Sequence, residues 1–229
     1  MLWEKNKLIF IHIPKCGGTS VENSLNIIEK GKYWGFDKNI SKKIKFPHEL
    51  QHMPFDAYKK LITNLKNYKV FAFVRNPFDR AISLYKDTKF KRPDIRKYLK
   101  LNNQFSFNDF LIKIKKSKHI HHKNQIYFLK KSNLNKIKIL RFENFESEFK
   151  SFLNDCNLKT QIKKSNLSKK QIFERNLSFY KNKDNIKLVQ QKFSDDLKFF
   201  EYSFDSFCSD QKFFLIKKLK KFILRKIYS

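Results

Sequence analysis

The chain has 229 residues, of which 41% are hydrophobic and 16% aromatic, so it is large enough to bury the core of one domain. Its formal net charge of +30 suits an anionic ligand, an acidic polymer, a nucleic acid or an anionic membrane surface. The sequence contains no apolar run near the ~20 residues that a membrane span requires, which excludes a membrane-spanning helix. AT-rich coding DNA favours Lys, and part of the Lys excess matches this compositional bias. The net charge alone therefore does not identify the function.

The first part of the chain alternates apolar, β-branched runs with segments of helical spacing. Such alternation is typical of a parallel α/β sheet. In chain order we expect a buried strand at 8–13, a helix capped by Thr19 or Ser20, a mobile loop at 31–47, a helix at 57–65, a strand at 70–74 and a helix after Asn76-Pro77.

The rest of the chain contains one more predicted strand and several helical segments. Ligands bind beyond the carboxyl ends of the strands in sheets of this kind, so the turns that follow the strands are the candidate site. We expect helices at 105–114 and 125–129, a strand at 136–142, a helix at 145–153, an irregular polar segment at 154–180 and an amphipathic helix at 186–200.

The turn after the first strand combines a cation, two glycines and two hydroxyl groups. Backbone N–H groups and the start of a helix there favour an anion, and the glycines leave room for a phosphate. The lysine precedes the glycines, so this is not a Walker A loop. An ordinary tight turn is the alternative. The turn consists of Pro14, Lys15, Cys16, Gly17, Gly18, Thr19 and Ser20.

The second strand leads into an Arg-Asn-Pro turn and a helix. Arg75 lies at the carboxyl end of the strand, and its planar fork suits a phosphate. Ser83 lies two turns along the helix and could hold the same phosphate. The alternatives are that Arg80 pairs with an acid and that Ser83 is only a hydroxyl group on the helix surface.

Together these two segments resemble the sulfotransferase superfamily, most closely its carbohydrate branch related to heparan and chondroitin 2-O-sulfotransferases. The first is similar to the family's 5′-phosphosulfate loop, and the second to its 3′-phosphate motif. The likeness continues through a His/Gln element at 122–125, a strand end at 140–144 and a closing helix at 180–202. It therefore covers most of the chain.

The resemblance implies an α/β, P-loop-like three-layer fold with a mostly parallel central sheet flanked by helices. It implies sulfuryl transfer from 3′-phosphoadenosine 5′-phosphosulfate (PAPS) to a carbohydrate hydroxyl, with the nucleotide PAP as product and no metal. Lys15 would stabilise the leaving side, and Arg75 with Ser83 would hold the 3′-phosphate. A second Asn-x-Ser at Asn176 competes with the one at 166–168 as the loop that closes over the nucleotide. The nucleotide-binding residues implied are Pro14, Lys15, Cys16, Gly17, Gly18, Thr19, Ser20, Arg75, Ser83, Asn166, Ser168 and Lys169.

Sulfuryl transfer also needs a base for the acceptor hydroxyl, and His is the usual choice. The resemblance places a catalytic His shortly before the second strand, where His52 fits best and His48 is second. One of them could instead orient the acceptor, and either could be a surface or capping His. The group His119, His121 and His122 ranks lower, because its spacing on a helix gives no face shared with a carboxylate.

The last stretch of the chain differs in character from the rest. We expect a sulfotransferase domain at 1–208 and a basic amphipathic helix or tail at 209–229, in which the segment 211–229 has an apolar and a cationic face. Such a helix would lie on an anionic membrane surface or pack on the domain, and the two remain equally open. A membrane location would suit a lipid-linked glycan or a polysaccharide as acceptor.

The cysteine content and the N-terminal residues bear on location. Cys16, Cys156 and Cys208 have no metal-binding spacing and are expected to be reduced thiols of a cytoplasmic protein. Trp3 and Glu4 interrupt any early apolar region, so we expect no signal peptide. The rival functions are a P-loop kinase or NTPase and a basic nucleic-acid-binding protein, although no base-reading motif favours a specific nucleic acid.

Overall fold

The computed structural model describes residues 1–162 and 176–209, and these residues form two compact units. The described residues of one unit are 1–75 and 118–162, and those of the other are 76–117 and 176–209. The predicted loop residues Asn166, Ser168 and Lys169, and the basic segment 211–229, lie outside the described residues. No helix in the described part is long and apolar enough to cross a membrane.

The sheet belongs to the first unit and confirms the predicted α/β class with a mostly parallel sheet. Its strands lie in the order β1 (Leu2–Trp3), β2 (Leu8–Phe10), β3 (Lys69–Val74) and β4 (Lys138–Arg141). β1 runs antiparallel to β2, whereas β2, β3 and β4 are parallel to one another. The three predicted strands exist with shifted ends, and β1 was not predicted. The carboxyl ends of the three parallel strands share one edge of the sheet.

The α-helices of the described part confirm most of the predicted helical segments. The shared edge of the sheet leads directly into two of them, one of which follows β2 and the other β3. In chain order they are α1 (Gly18–Leu25), α2 (Lys38–Ile44), α3 (Phe55–Leu61), α4 (Pro77–Phe90), α5 (Pro93–Tyr98), α6 (Phe107–Lys115), α7 (Gln125–Leu129) and α8 (Phe145–Asp155), followed by Lys183–Lys192 and Ser194–Phe199.

Packed phenylalanine rings hold α8 against the sheet. Phe71 of β3 lies 4.4 Å from Phe152, and Phe73 lies 4.5 Å from Phe145, measured between ring centres. Burying large aromatic side chains from both elements stabilises this packing. This packing holds β3 in place, so Arg75, which follows Val74 at the end of β3, lies at the edge of the sheet.

The second unit has an aromatic core of its own. Phe78, Tyr85, Phe110 and Phe193 are among its buried residues. Asn76 caps α4 by accepting a hydrogen bond from the backbone N–H of Phe78 at 3.1 Å. A capped start with Pro at the first helical position fixes where α4 begins.

Three sequence predictions about helices were wrong in part. The cap of α1 is Gly17 in the left-handed conformation, and neither Thr19 nor Ser20 caps it. The predicted loop at 31–47 contains α2, which Asp37 caps by accepting a hydrogen bond from Ile40. The single helix expected at 186–200 is two helices, because the chain breaks its helical geometry at Phe193.

Candidate active site

The turn after β2 gathers the predicted anion-binding residues around the start of α1. The backbone N–H groups of Ser20 and Val21 donate to the carbonyl of Gly17 at 3.0 and 3.2 Å. The N–H groups of Gly18 and Thr19 precede this first turn and have no acceptor within the helix. They lie at its positive end, an arrangement that suits a phosphate.

Lys15 has a strained backbone in this turn. Its φ of 67° is left-handed, which costs a non-glycine residue about 1 kcal/mol. The carbonyl of Lys15 accepts a hydrogen bond from Nη1 of Arg75 at 3.0 Å. Strain of this kind persists where surrounding contacts enforce it, and it clusters at ligand sites.

Arg75 is fixed at the carboxyl end of β3 by its side chain as well as its backbone. Its guanidinium carbon lies 4.3 Å from the centre of the Phe142 ring, which follows β4. A cation stacked on an aromatic face is held in place without losing its charge. The structure therefore brings Lys15 and Arg75 together, with Phe142 from the third strand end beneath the guanidinium.

The two glycines of the turn are required by protein packing. A Cβ atom on Gly17 would lie 2.9 Å from Cδ2 of Phe142. A Cβ atom on Gly18 would lie 1.8 Å from Nε2 of His12. The sequence analysis assigned both glycines to the approach of a phosphate, and it missed that aromatic side chains already occupy this space.

Gln125, the first residue of α7, joins the two strand-end turns. Its Oε1 accepts hydrogen bonds from the backbone N–H of Arg75 at 2.8 Å and from Sγ of Cys16 at 3.2 Å. Its Nε2 donates to the carbonyl of Arg75 at 2.9 Å. The side chain is fully buried. The sequence placed Gln125 in a family-like element but gave it no role.

Replacing Gln125 with Ala is expected to lower the free energy of unfolding by about 3 kcal/mol, because two partly buried backbone groups of Arg75 and the buried thiol of Cys16 lose the side chain that satisfies them. It should also weaken the nucleotide binding that the resemblance implies, since the backbone of Arg75 loses its anchor. Urea denaturation and nucleotide titration measure the two effects. The matched control is Gln104→Ala, which truncates an exposed glutamine and should change neither. Nucleotide affinity equal to that of the unmodified protein would contradict the anchoring role.

Ser83 and Arg80 belong to α4 in the second unit. Ser83 is half-buried, and its phosphate contact stays a prediction. Arg80 is fully buried, with Nη1 3.9 Å from the carboxylate of Asp196. Its guanidinium carbon lies 5.4 Å from the Phe193 ring centre. The alternative that Arg80 pairs with an acid is therefore confirmed.

His52 lies in a short 3-10 helix, Leu50–His52, and is buried. Its Nδ1 is 3.0 Å from the carbonyl oxygen of His12. Because a carbonyl only accepts hydrogen bonds, Nδ1 must carry the proton when the ring is neutral, and Nε2 then presents its lone pair. Nε2 is 3.8 Å from Oε2 of Glu49. A fixed tautomer with a basic Nε2 is the form that a general base requires.

His48, the second candidate, is half-buried and lies against Phe46, with ring centres 5.1 Å apart. Burial lowers the pKa of His48 below its usual value; the charge of Lys123 adds to this, and Glu49 opposes it. A lowered pKa keeps this ring neutral at physiological pH. The structure thus leaves His48 chemically able to act as a base, without the positioning hydrogen bond that His52 has.

The prediction that the group at 119–122 shares no face with a carboxylate was wrong for one member. His121 is buried, and its Nε2 lies 4.0 Å from Oε2 of Glu49. Its ring centre is 5.0 Å from that of His52. Spacing along one helix could not show this, because the carboxylate comes from a distant segment.

A second carboxylate, also missed by the sequence analysis, lies beside His12. Nδ1 of His12 lies 2.9 Å from Oε1 of Glu22 in α1. The ring centres of His12 and His52 are 4.6 Å apart, so Glu22 also lies close to the residue whose carbonyl accepts the hydrogen bond of His52. Among the described residues, Glu49, His52 and His121 also form a group with ligand atoms within 4.8 Å of one another, which could hold a metal ion.

Comparisons with known proteins point to one family. The profile of the sulfotransferase family matches residues 1–203. Carbohydrate sulfotransferase 11 of Danio rerio is 29% identical over 85 residues, and carbohydrate sulfotransferase 10 of Rattus norvegicus is 32% identical over 87 residues. Each alignment covers 37% of this chain and 24% of the relative, so the chain aligns with about a quarter of each. No solved structure gives a significant match.

Proposed function

Because the chain belongs to the sulfotransferase family, we propose that it transfers a sulfuryl group from PAPS to a hydroxyl group of a carbohydrate. The observation that carries the proposal is the hydrogen bond from Arg75 to the carbonyl of Lys15. This contact joins the two turns in which the donor nucleotide would need its cations. The whole arrangement lies at one edge of a parallel sheet, the usual place for a nucleotide.

The donor would be held by its phosphates. The amides of Gly18 and Thr19 and the side chain of Lys15 would bind the 5′-phosphosulfate, while Arg75 and Ser83 would bind the 3′-phosphate. The loop residues Asn166, Ser168 and Lys169 would close over the nucleotide. Lys15 supplies positive charge where the leaving phosphate gains negative charge. This charge stabilises the transition state more than the bound substrates and so lowers the barrier.

The chemical step would be an in-line displacement at sulfur. The acceptor oxygen forms a bond to sulfur while the bond from sulfur to the 5′-phosphate oxygen of PAPS breaks, and PAP leaves with that electron pair. Nε2 of His52 takes the hydroxyl proton. Holding donor, acceptor and base in line removes much of the entropic barrier of a bimolecular reaction.

A carbohydrate acceptor is supported by the two named relatives and by an aromatic pair next to the His52 turn. Trp34 and Phe36 are 66% and 73% exposed. Gly35, between them, donates its N–H to Oε1 of Gln51 at 2.8 Å and accepts from the N–H of Leu50 at 2.7 Å. The turn that carries His52 therefore also anchors two exposed rings, which could pack on the apolar face of a sugar.

Calorimetric titration with PAP tests the donor site. We expect the unmodified protein to bind PAP in preference to ATP–Mg²⁺, and Arg75→Ala to bind PAP about 100-fold more weakly, because charge-assisted contacts to one phosphate are lost. Arg75→Lys should recover only part of the affinity, since it restores the charge but not the planar fork.

The control for Arg75→Ala is Arg92→Ala, which removes an arginine paired with Asp94 at 2.8 Å. This variant should bind PAP as the unmodified protein does. Preference for ATP–Mg²⁺ over PAP would favour the kinase alternative. Equal loss of PAP affinity in both variants would show that general positive charge, rather than Arg75, holds the nucleotide.

A further inference from the structure

Glu49, His52 and His121 meet although they come from two separate short helical turns. Their ligand atoms all lie within 4.8 Å of one another, and Oε2 of Glu49 is 3.8 Å from Nε2 of His52 and 4.0 Å from Nε2 of His121. Both imidazoles are buried, whereas the side chain of Glu49 is 29% exposed. The two imidazole nitrogens of the group are therefore shielded from solvent, and the carboxylate side is open to it.

The surroundings of the group resemble the outer shell of a metal site. A metal-binding His usually donates its other ring N–H to a carbonyl or carboxylate, and His52 does so through Nδ1 to the carbonyl of His12 at 3.0 Å. Nε2 of Gln51 lies 3.3 Å from Oε2 of Glu49 and orients that carboxylate. Two of the three ligand side chains are thus already held in place.

The ligand types select among metals. Two imidazole nitrogens and one carboxylate oxygen suit Zn²⁺, which binds such ligands at about 2.0–2.2 Å and accepts three protein ligands plus water. Two ligand atoms on one tetrahedral ion are roughly 3.4 Å apart. The two separations from Glu49, 3.8 and 4.0 Å, would therefore shorten by about half an ångström, and the two imidazole nitrogens, which lie within 4.8 Å of each other, by up to about 1.4 Å. Ca²⁺ and Mg²⁺ prefer oxygen ligands throughout and fit this group poorly.

We propose that Glu49, His52 and His121 form a binding site for a zinc ion. The ion would occupy Nε2 of His52, the atom to which the proposed function assigns the acceptor proton. Zinc binding would then inhibit transfer reversibly. This inhibitory consequence rests on the proposed function, whereas the binding site itself does not.

Titration of the metal-depleted full chain with ZnCl₂, followed by calorimetry, tests the site. We expect stoichiometric binding, and visible absorption bands of tetrahedral type when Co²⁺ replaces Zn²⁺. His121→Ala should weaken zinc binding more than roughly 100-fold, the upper end of what losing an outer-shell partner costs. His48→Asn is the matched control, since it removes a neighbouring imidazole outside the group and should bind zinc normally.

Unchanged zinc affinity in His121→Ala would overturn the proposal. Equal losses of zinc affinity in His121→Ala and His48→Asn would also overturn it, because imidazoles in general, rather than this group, would then bind the ion. PAP affinity, measured in the same samples, separates this failure from a failure of the donor site. If transfer is established, zinc should inhibit at the concentrations that fill the site. Zinc binding without inhibition of transfer would confirm the binding site but overturn the proposed inhibition through His52.

Discussion

Replacing His52 with Asn is expected to lower kcat for sulfuryl transfer by about 10²–10⁴-fold, the usual contribution of a positioned base. The Asn side-chain amide can still donate to the carbonyl of His12, which Nδ1 of His52 approaches at 3.0 Å, so the turn should keep its structure. The basic Nε2 is lost. PAP affinity should stay at the level of the unmodified protein. Steady-state kinetics with PAPS and PAP calorimetry measure both quantities.

The same substitution at His48 distinguishes the two candidate bases. His48→Asn is expected to keep kcat within about tenfold, because His48 lacks a hydrogen bond that fixes its tautomer. The opposite pattern, with kcat lost in His48→Asn and retained in His52→Asn, would assign the base to His48. A loss of PAP affinity in His52→Asn would instead show that His52 supports the donor site.

Replacing Gly18 with Ala is expected to lower the free energy of unfolding by about 3 kcal/mol or more, as overpacking of a filled site does. The new Cβ atom would lie 1.8 Å from Nε2 of His12. The imidazole has little room to turn away, because its Nδ1 lies 2.9 Å from Oε1 of Glu22 and its ring stacks on Phe10 with ring centres 5.5 Å apart. Urea denaturation measures the effect.

Two further variants separate this clash from backbone strain. Gly35→Ala introduces a Cβ with no atom within 4 Å at a φ of 73°, so it should cost only about 1 kcal/mol. In the double variant His12→Ala with Gly18→Ala the clash is removed, and the double change should cost less than the sum of the single ones. Additive costs would contradict a steric origin.

The sequence was sufficient to predict that the Lys15 turn and Arg75 lie at one edge of the sheet, where the candidate site is placed. Apolar β-branched runs predicted β2, β3 and β4, and parallel strands end at the same edge, so the Lys15 turn and Arg75 had to lie close together. The motif around Arg75 also fixed the start of α4, because Asn-Pro both caps and opens a helix. Both predictions rest on residues that are close together in the sequence.

The histidine cluster could not be predicted in the same way. His52 and His121 come from segments on either side of β3, and each lies in a single 3-10 turn that has no periodic pattern of its own. Glu49 joins them only through tertiary packing. Likewise, the requirement for Gly18 arises from His12, whose ring direction no pattern in the sequence reveals.

The buried glutamine illustrates a third kind of residue. Gln125 has no charge and follows no motif with a known mechanism, yet it satisfies both backbone groups of Arg75 and reaches the thiol of Cys16. Polar side chains that satisfy buried backbone groups become visible only when the backbone partners are placed. The only signal for Gln125 in the sequence was its place in the His/Gln element at 122–125 that resembles the family.

Transfer of labelled sulfuryl from PAPS tests the central claim most directly. The unmodified chain is incubated with labelled PAPS and a panel of neutral and acidic carbohydrates, with a phenol and a simple alcohol as other hydroxyl acceptors. The account predicts label in a carbohydrate, with PAP released in equal amount, and its loss in Lys15→Ala and His52→Asn. PAP binding without transfer to any carbohydrate, or transfer only to the phenol, would contradict it.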